Sequence, residues 1–361
     1  MSRRIYLDHA ATTPVLDEAR VAVADALAHW ANPSSPHADG RAARAALEEA
    51  RRTIGEALGW RHDVILTSGA SEAIMIAGAR ARPERRIVGP TEHDMVTHAM
   101  GAGAVVLPVD RDGLVDLDAL DMSLADGPAL VAIQLVNNET GVIQPAVELG
   151  DRIRAAGSLW LCDAAQGAGK IDLPDADFIT VSGHKLGGPP GVGVLLVRDL
   201  ATLDPSGGQE KGYRRGTSDV PGAAGLAAAL ASGAVREAMP RLAGLRARLE
   251  EAIRAEGGVI IAEGAPRLAT IGGVALPGVS SASQLVQLDL AGISVSAGSA
   301  CSSGSMKPSH VLAAMGIAPD VAASTIRVSF GASTTEADID AFLAEWRRIA
   351  TKRRATHGQA A

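Results

Sequence analysis

The chain has 361 residues, 47% of them hydrophobic and 21% charged, with a net charge of −7. That length is too great for one ordinary core and calls for two domains, or one large α/β domain with a smaller partner. The negative charge, with only 4 Trp, 2 Tyr and 3 Phe, argues against a nucleic-acid binder that works by phosphate neutralisation and base stacking.

Residues 5–7 read as a short strand before the turn cluster DHAATTP at 8–14. Residues 17–30 read as an Ala-rich helix with Val21, Ala24, Leu27 and Ala28 along one face. Asn32-Pro33-Ser34-Ser35-Pro36 breaks the chain, and 39–58 is a second amphipathic helix with a charged, solvated side. A strand at 63–66 runs into Thr67-Ser68-Gly69-Ala70-Ser71-Glu72 and then a helix through Ala79. A helix that starts at a Ser/Gly turn offers free N–H groups and a positive dipole end, which suits a phosphate, although an ordinary cap reads the same way. No P-loop pattern occurs, and Gly101-Ala102-Gly103 is no dinucleotide fingerprint, because Val106 stands where the third glycine would be.

Alternating units follow: strands at 86–88, 104–108, 129–136 and 159–162, with helices from Glu92-His93, over 114–124, and over 145–156 with Gly157 closing the last. Strand–helix alternation with apolar strands predicts a largely parallel sheet covered on both faces. Ligands of such sheets gather beyond the strand C-termini. Ser71, His93, Asn138, Asp163, Gln166 and Lys185 all follow strand ends. At 177–193 an apolar run ends in Ser182-Gly183-His184-Lys185 before a Gly/Pro loop and a second apolar run. That turn fits either a surface lysine or a lysine that carries a carbonyl cofactor, with Ser182 and His184 on an anion. A long Gly-rich loop covers 206–217, and 222–255 reads as a helical stretch between two domains. Beyond it the order of elements is that of a small α+β domain: strands at 257–262, 268–275, 294–296 and 325–329, and helices at 283–291, 310–315 and 336–350. The basic run from Arg347 to Arg354 suits a helix C-terminus.

The two cysteines, Cys162 and Cys301, form no CxxC, so no zinc site and no metal is expected. Cys162 lies in an apolar strand and reads as structural, whereas Cys301 lies in a loop of Ala, Ser and Gly. The opening residues form no signal peptide and no apolar run reaches membrane-spanning length. The expectation is a cytoplasmic chain with free thiols and no membrane partner.

Taken together, YLDHAATTP (6–14), NPSSPH (32–37), LTSGASEA (66–73), EHDMV (92–96), VNNETGVIQP (136–145), CDAAQGAGKIDL (162–173), SGHK (182–185), GGQEKGYRRGT (207–217), GSACSSGSMKPSHVL (298–312) and IRVSFG (326–331) resemble the cysteine desulfurases. These are class V aminotransferases of the fold-type I pyridoxal phosphate (PLP) enzymes. The resemblance implies an α/β fold: a large domain, 14–235, with a mainly parallel seven-stranded sheet, and a small α+β domain made of 1–13 and 236–361. It implies that Lys185 binds PLP as a Schiff base, His93 stacks on the ring and shuttles protons, and Asp163 pairs with the pyridinium nitrogen. Gln166 would bond the ring oxygen, with Asn138 beside cofactor and substrate. Ala70, Ser71, Ser182 and His184 would hold the phosphate, with Thr217 reaching it from the other subunit of a homodimer. Arg327 would clamp the carboxylate of L-cysteine, and Cys301 would take its sulfur as a persulfide. The length of the cysteine loop resembles the group that supplies iron–sulfur cluster assembly, so a sulfur-acceptor protein such as a cluster scaffold is implied, with RNA thio-modification as another outlet. A selenocysteine lyase, another class V lyase or transaminase, and a non-catalytic scaffold of the same fold remain alternatives. The chain departs from the usual pattern at His9, Ser71, Gly187 to Gly191 and Arg215, and is short after Ala350.

Overall fold

The computed structural model describes residues 4–298 and 308–358. Among the described residues twelve strands form three sheets. In chain order they are β1 (Ile5–Tyr6), β2 (Asp63–Thr67), β3 (Arg85–Val88), β4 (Val105–Val106), β5 (Ala129–Ala132), β6 (Leu159–Asp163), β7 (Phe178–Ser182), β8 (Gly193–Val197), β9 (Val259–Ile260), β10 (Ile271–Ala275), β11 (Ile293–Ser294) and β12 (Thr325–Ser329).

The large sheet runs β2-β8-β7-β6-β5-β3-β4 and is parallel throughout except at β8, which is antiparallel to both neighbours. Its central strands are apolar on both faces because both faces are covered. Val131, Ile179, Val181 and Val194 join one core, while Leu130, Phe178, Leu195 and Val197 join the core on the other side. Each such side chain contributes roughly 1.5–3 kcal/mol on burial. A separate core forms where Leu7, Leu242, Leu249, Ile326, Phe342 and Trp346 pack together. There β12, β10 and β9 make an antiparallel sheet, and β1 pairs with β11.

Several elements differ from the sequence reading. The helix Asp17–Ala28 turns the opposite side inward: Ala19 is buried, and Val23 packs where a Cβ on Gly225 would stand. Val21 and Leu27 are 69% and 60% exposed. Both sides of this helix carry Ala and Val, so the periodicity did not separate them. The expected helix over 222–255 is two helices, Val220–Ala231 and Ala234–Ala255, parted at Gly233, whose φ of +67° favours glycine. The run 129–136 leaves the ladder after Ala132, and the closing helix extends to Gly358. The basic run near that end is largely paired, Arg347 and Arg354 with Glu256 and Arg348 with Glu345. Among the described residues no helix is long and apolar enough to cross a membrane.

Candidate active site

A cavity of about 550 Å³ opens at the C-terminal edge of the large sheet, beyond β2, β6 and β7, and is closed on its far side by β12. Ala70, Ser71, His93, Asn138 and Asp163 line it. Ser182, His184, Lys185 and Arg327 line it as well. Expected site residues as far apart as Ala70 and Arg327, 257 positions, therefore meet where the sequence reading expected one site. A second cavity of about 590 Å³, between Thr53–Gly59, Gly169–Leu173 and Ala229–Arg236, holds none of the expected site residues.

One end of the site is an anion cradle. The helix Ala70–Arg80 starts at Gly69 with no side-chain cap, so its first-turn N–H groups are not taken by one. Glu72 folds back to accept from Ser68 N at 2.6 Å and is held by Arg214 at 2.9 Å. Across the cradle Gly193 approaches so closely that a Cβ there would lie 2.7 Å from Gly69 Cα. Ser182 pairs with Gly193 at the end of β7, which puts its side chain beside this turn.

Lys185 follows in the tight turn Gly183–Lys185. The opening segment holds that turn: Thr13 N donates to His184 O at 2.8 Å, and Thr13 Oγ1 to Lys185 O at 3.3 Å. Thr12 Oγ1 lies 3.2 Å from His184 Nδ1. Burial lowers the Lys185 ammonium below its usual range, the Asp163 carboxylate opposes this, and Arg327 adds to it. Asp163 is fixed by Ala165 N at 2.9 Å and Thr180 Oγ1 at 3.0 Å, both on Oδ1. His93 accepts from Met95 N at 3.2 Å through Nδ1, which assigns the ring proton to Nε2. Burial and then Lys185 lower its pKa, so the ring is neutral at pH 7. His184 is lowered for the same two reasons.

The opposite wall carries Arg327. Its Nη2 pairs with Asp8 Oδ1 at 2.8 Å and its Nη1 donates to Asn138 O at 3.0 Å. Asp8 escaped the sequence reading, although it belongs to the opening motif; its partner lies 319 positions away. Glu92 escaped it too. Its carboxyl is buried, accepts from Gln134 N at 2.9 Å, and is pushed well above the usual range by burial, with Asp163 adding to the shift.

Three expected residues stand apart. Gln166 does not line the cavity; its Nε2 donates to Ala10 O at 2.9 Å and its buried Oε1 has no partner. Ala10 does line the cavity, so Gln166 lies one residue behind the wall. Thr217 is exposed on the long loop, outside this cavity. Cys301 lies outside the described residues, while Gly298 and His310, on either side of it in sequence, line the cavity. Cys162 is buried in β6, and burial pushes its thiol well above the usual range, as a packing cysteine requires.

This arrangement can hold an anionic group at the helix start, a flat ring between His93 and Asp163, and a carbonyl within reach of a buried amine, with a carboxylate on the guanidinium opposite. Comparison with known proteins agrees with that chemistry. The family model for aminotransferase class-V matches residues 5–342. The chain is 40% identical to an IscS-like cysteine desulfurase of Mycobacterium tuberculosis, over 94% of each chain. It is 37% identical to a cysteine desulfurase of Cereibacter sphaeroides, again over 94% of each. Among solved structures, a NifS-like protein from Rickettsia africae superposes with a TM-score of 0.89 at 30% identity, covering 96% of this chain and 99% of that one.

Proposed function

The chain belongs to the class V aminotransferases as one of their PLP-dependent cysteine desulfurases, and on that premise we propose that it moves the sulfur of L-cysteine onto Cys301 and releases L-alanine. The observation that carries the reading is the meeting of Lys185, Asp163, His93, the Ala70–Ser71 cradle and Arg327 around one cavity. The fold is fold-type I. We assign residues 14–235 to its large domain, and 1–13 with 236–361 to its small one, which agrees with Leu7 packing in the same core as Leu242 and Trp346.

The residues fit PLP. The cradle of Ala70, Ser71, Ser182 and His184 would take its phosphate, Lys185 its aldehyde carbon and Asp163 its ring nitrogen, with His93 on the ring face. The buried Oε1 of Gln166 has no protein partner, and its amide is tied to Ala10 of the cavity wall. When bound, PLP supplies an electron sink for a carbanion at the substrate Cα. Arg327 takes the substrate carboxylate through a planar fork already aligned by Asp8 and Asn138 O. Lys185 Nζ, its proton affinity lowered by burial, takes the Cα proton. His93, neutral with its proton on Nε2, can donate that proton to substrate. The Cys301 thiolate then attacks the substrate sulfur. The S–S bond forms as the Cβ–S bond breaks, and that bonding pair leaves with the carbon that becomes the alanine methyl.

We assign the working unit as a homodimer, because Thr217 stands outside the cavity of its own chain and the exposed Val21 and Leu27 offer apolar surface. The sulfur then passes to an acceptor protein in the cytoplasm, with an iron–sulfur scaffold as the first candidate. The test is a paired assay on purified protein. We expect a visible PLP band, alanine and sulfide from L-cysteine with a reductant, and loss of sulfide in Cys301→Ala. Sulfide release that survives Cys301→Ala overturns the assignment of the acceptor; a colourless protein that takes up no PLP overturns the whole reading.

A further inference from the structure

Glu139 is a buried acid that the chemistry above does not use. It lies in the turn after β5, where Asn137 Oδ1 accepts from Glu139 N and Thr140 N, each at 2.9 Å. Asn137 Nδ2 is itself tied to Thr91 O at 3.0 Å. The turn is therefore fixed and the carboxyl has a set position. Glu139 is only 5% exposed and lines the cavity. Burial raises its pKa; the Ser309 hydroxyl, His310 and Arg327 act in the opposite direction, and Asp94 adds to the rise.

Its carboxylate bonds the downstream described end of the cysteine-bearing stretch and lies beside the upstream one. On the downstream side Ser309 Oγ donates to Glu139 Oε2 at 2.6 Å, a short, charge-assisted bond. The same Oγ accepts from Leu312 N at 3.0 Å and so caps the helix His310–Ala314. On the upstream side a Cβ at Gly298 would stand 3.7 Å from that same Oε2. Two residues earlier Ser296 exchanges backbone hydrogen bonds with Arg327, at 3.2 and 2.6 Å. Arg327 in turn donates to Asn138 O, one residue before Glu139. Hydrogen bonds thus run from Ser309 through the Glu139 turn and Arg327 to Ser296 on the upstream side.

We infer that Glu139 is a positioning residue for sulfur transfer: through Ser309 it fixes the downstream end of the cysteine-bearing stretch relative to the substrate clamp. The inference rests on the reading of Cys301 given above. A misplacement of about 1 Å between reacting atoms costs on the order of a hundredfold in rate, so a single well-placed anchor has a large lever. A merely structural acid would act differently, because its loss would weaken folding, cofactor uptake and substrate binding together.

The experiment compares holoenzyme of wild type, Ser309→Ala, Ser309→Thr, Glu139→Ala and the double Ala variant. Two quantities are read separately. One is the change in the visible spectrum on titration with L-alanine, which reports binding at the clamp without any sulfur step. The other is the single-turnover rate at which the persulfide appears on Cys301 with L-cysteine, followed by mass spectrometry. We expect alanine binding within about twofold of wild type and persulfide formation slower by about tenfold in Ser309→Ala and in Glu139→Ala, the size expected for one lost bond to a charged group. The double variant should be no slower than either single one, and Ser309→Thr, which keeps the hydroxyl, should recover most of the rate. Wild-type persulfide rates in Ser309→Ala, additive losses in the double variant, or a parallel loss of alanine binding would each overturn the role of Glu139 alone. A wild-type protein that forms no persulfide on Cys301 would overturn the functional reading, and the role of Glu139 with it.

Discussion

The two walls of the cavity are built in different ways. The wall formed by β2, β6 and β7 is set by backbone: Ser182 pairs with Gly193, Asp163 with Thr180, and the Lys185 turn hangs from β7. The wall formed by β12 and the helix His310–Ala314 is fastened across the cavity by single side-chain bonds. These are Arg327 to Asn138 O at 3.0 Å, Ser309 to Glu139 at 2.6 Å, and His310 Nε2 to Glu92 O at 2.9 Å. A ladder distributes its strength over many bonds, whereas a lone hydrogen bond nets roughly 0.5–1.5 kcal/mol. On the proposed chemistry, the groups assigned to the cofactor stand on the sheet, while those assigned to the substrate carboxylate and the sulfur acceptor are attached by a few replaceable contacts. Changes on the first wall should abolish function, and changes on the second should retune it.

The largest effect tests the first half of that contrast. Lys185→Ala should remove the Schiff-base band and lower alanine production by about a thousandfold or more. Its fold should survive, since a buried ammonium is replaced by an apolar group. Retained turnover would break the comparison, because the backbone-set wall would then carry no essential group. On the opposite wall Arg327→Ala should raise KM for L-cysteine by about a hundredfold while lowering kcat far less, as expected for loss of a bidentate carboxylate clamp. Asp8→Asn should raise KM by about tenfold or less, because the amide still accepts from Arg327 but no longer as an anion. A lower KM in Asp8→Asn would mean that Asp8 competes with the substrate carboxylate rather than aligning its partner.

The same contrast explains what could be read in the sequence. The backbone-set wall was legible because its signals are local: an apolar run of strand length, then Ser182-Gly183-His184-Lys185, or Thr67-Ser68-Gly69 before a helix. The side-chain-fastened wall was mostly hidden. Asp8 and Arg327 are 319 residues apart, and Ser309 and Glu139 are 170 apart, so no periodicity or spacing links them. Arg327 is reached through the family motif, whereas Asp8, Glu92 and Glu139 stand in the quoted motifs with no local sign of their role. Their burial comes only from tertiary packing. The helix Asp17–Ala28 failed for another reason: with Ala and Val on both sides, the inward side is decided by the close approach to Gly225. The break at Ser232-Gly233 carries a local turn signal, but the Ala-rich sequence on both sides of it continues the helical pattern.

The seam between the walls gives the smallest effect on turnover and the clearest sign. His9 lies where the opening segment leaves the small sheet: His9 N donates to Ser329 O at 3.5 Å, and the ring packs where a Cβ on Gly331 would stand. Tyr6 meets it edge-on at 5.0 Å. Burial lowers its pKa from 6.5 to about 4, Lys170 pushes the same way, and a hydrogen bond from the ring to the Tyr6 backbone opposes both. The unfolded chain therefore binds a proton at this residue before the folded protein does. Its contribution is full above pH 6.5, is lost as pH falls towards 4, and is flat below that. Lys170, lowered to about 7 by burial and by Lys185, makes stability rise with pH as well, but only above its own folded value. Below pH 6 it is protonated in both states and drops out. The other histidines and carboxyls that take up protons on acidification are common to wild type and His9→Asn, so the difference between the two in denaturant unfolding at pH 6 and pH 4 reports His9, and the variant should lose less stability over that window by about 2 kcal/mol. An unchanged slope would place the acid sensitivity on the carboxylates of the walls instead, and the seam would then be no weaker than the regions it joins.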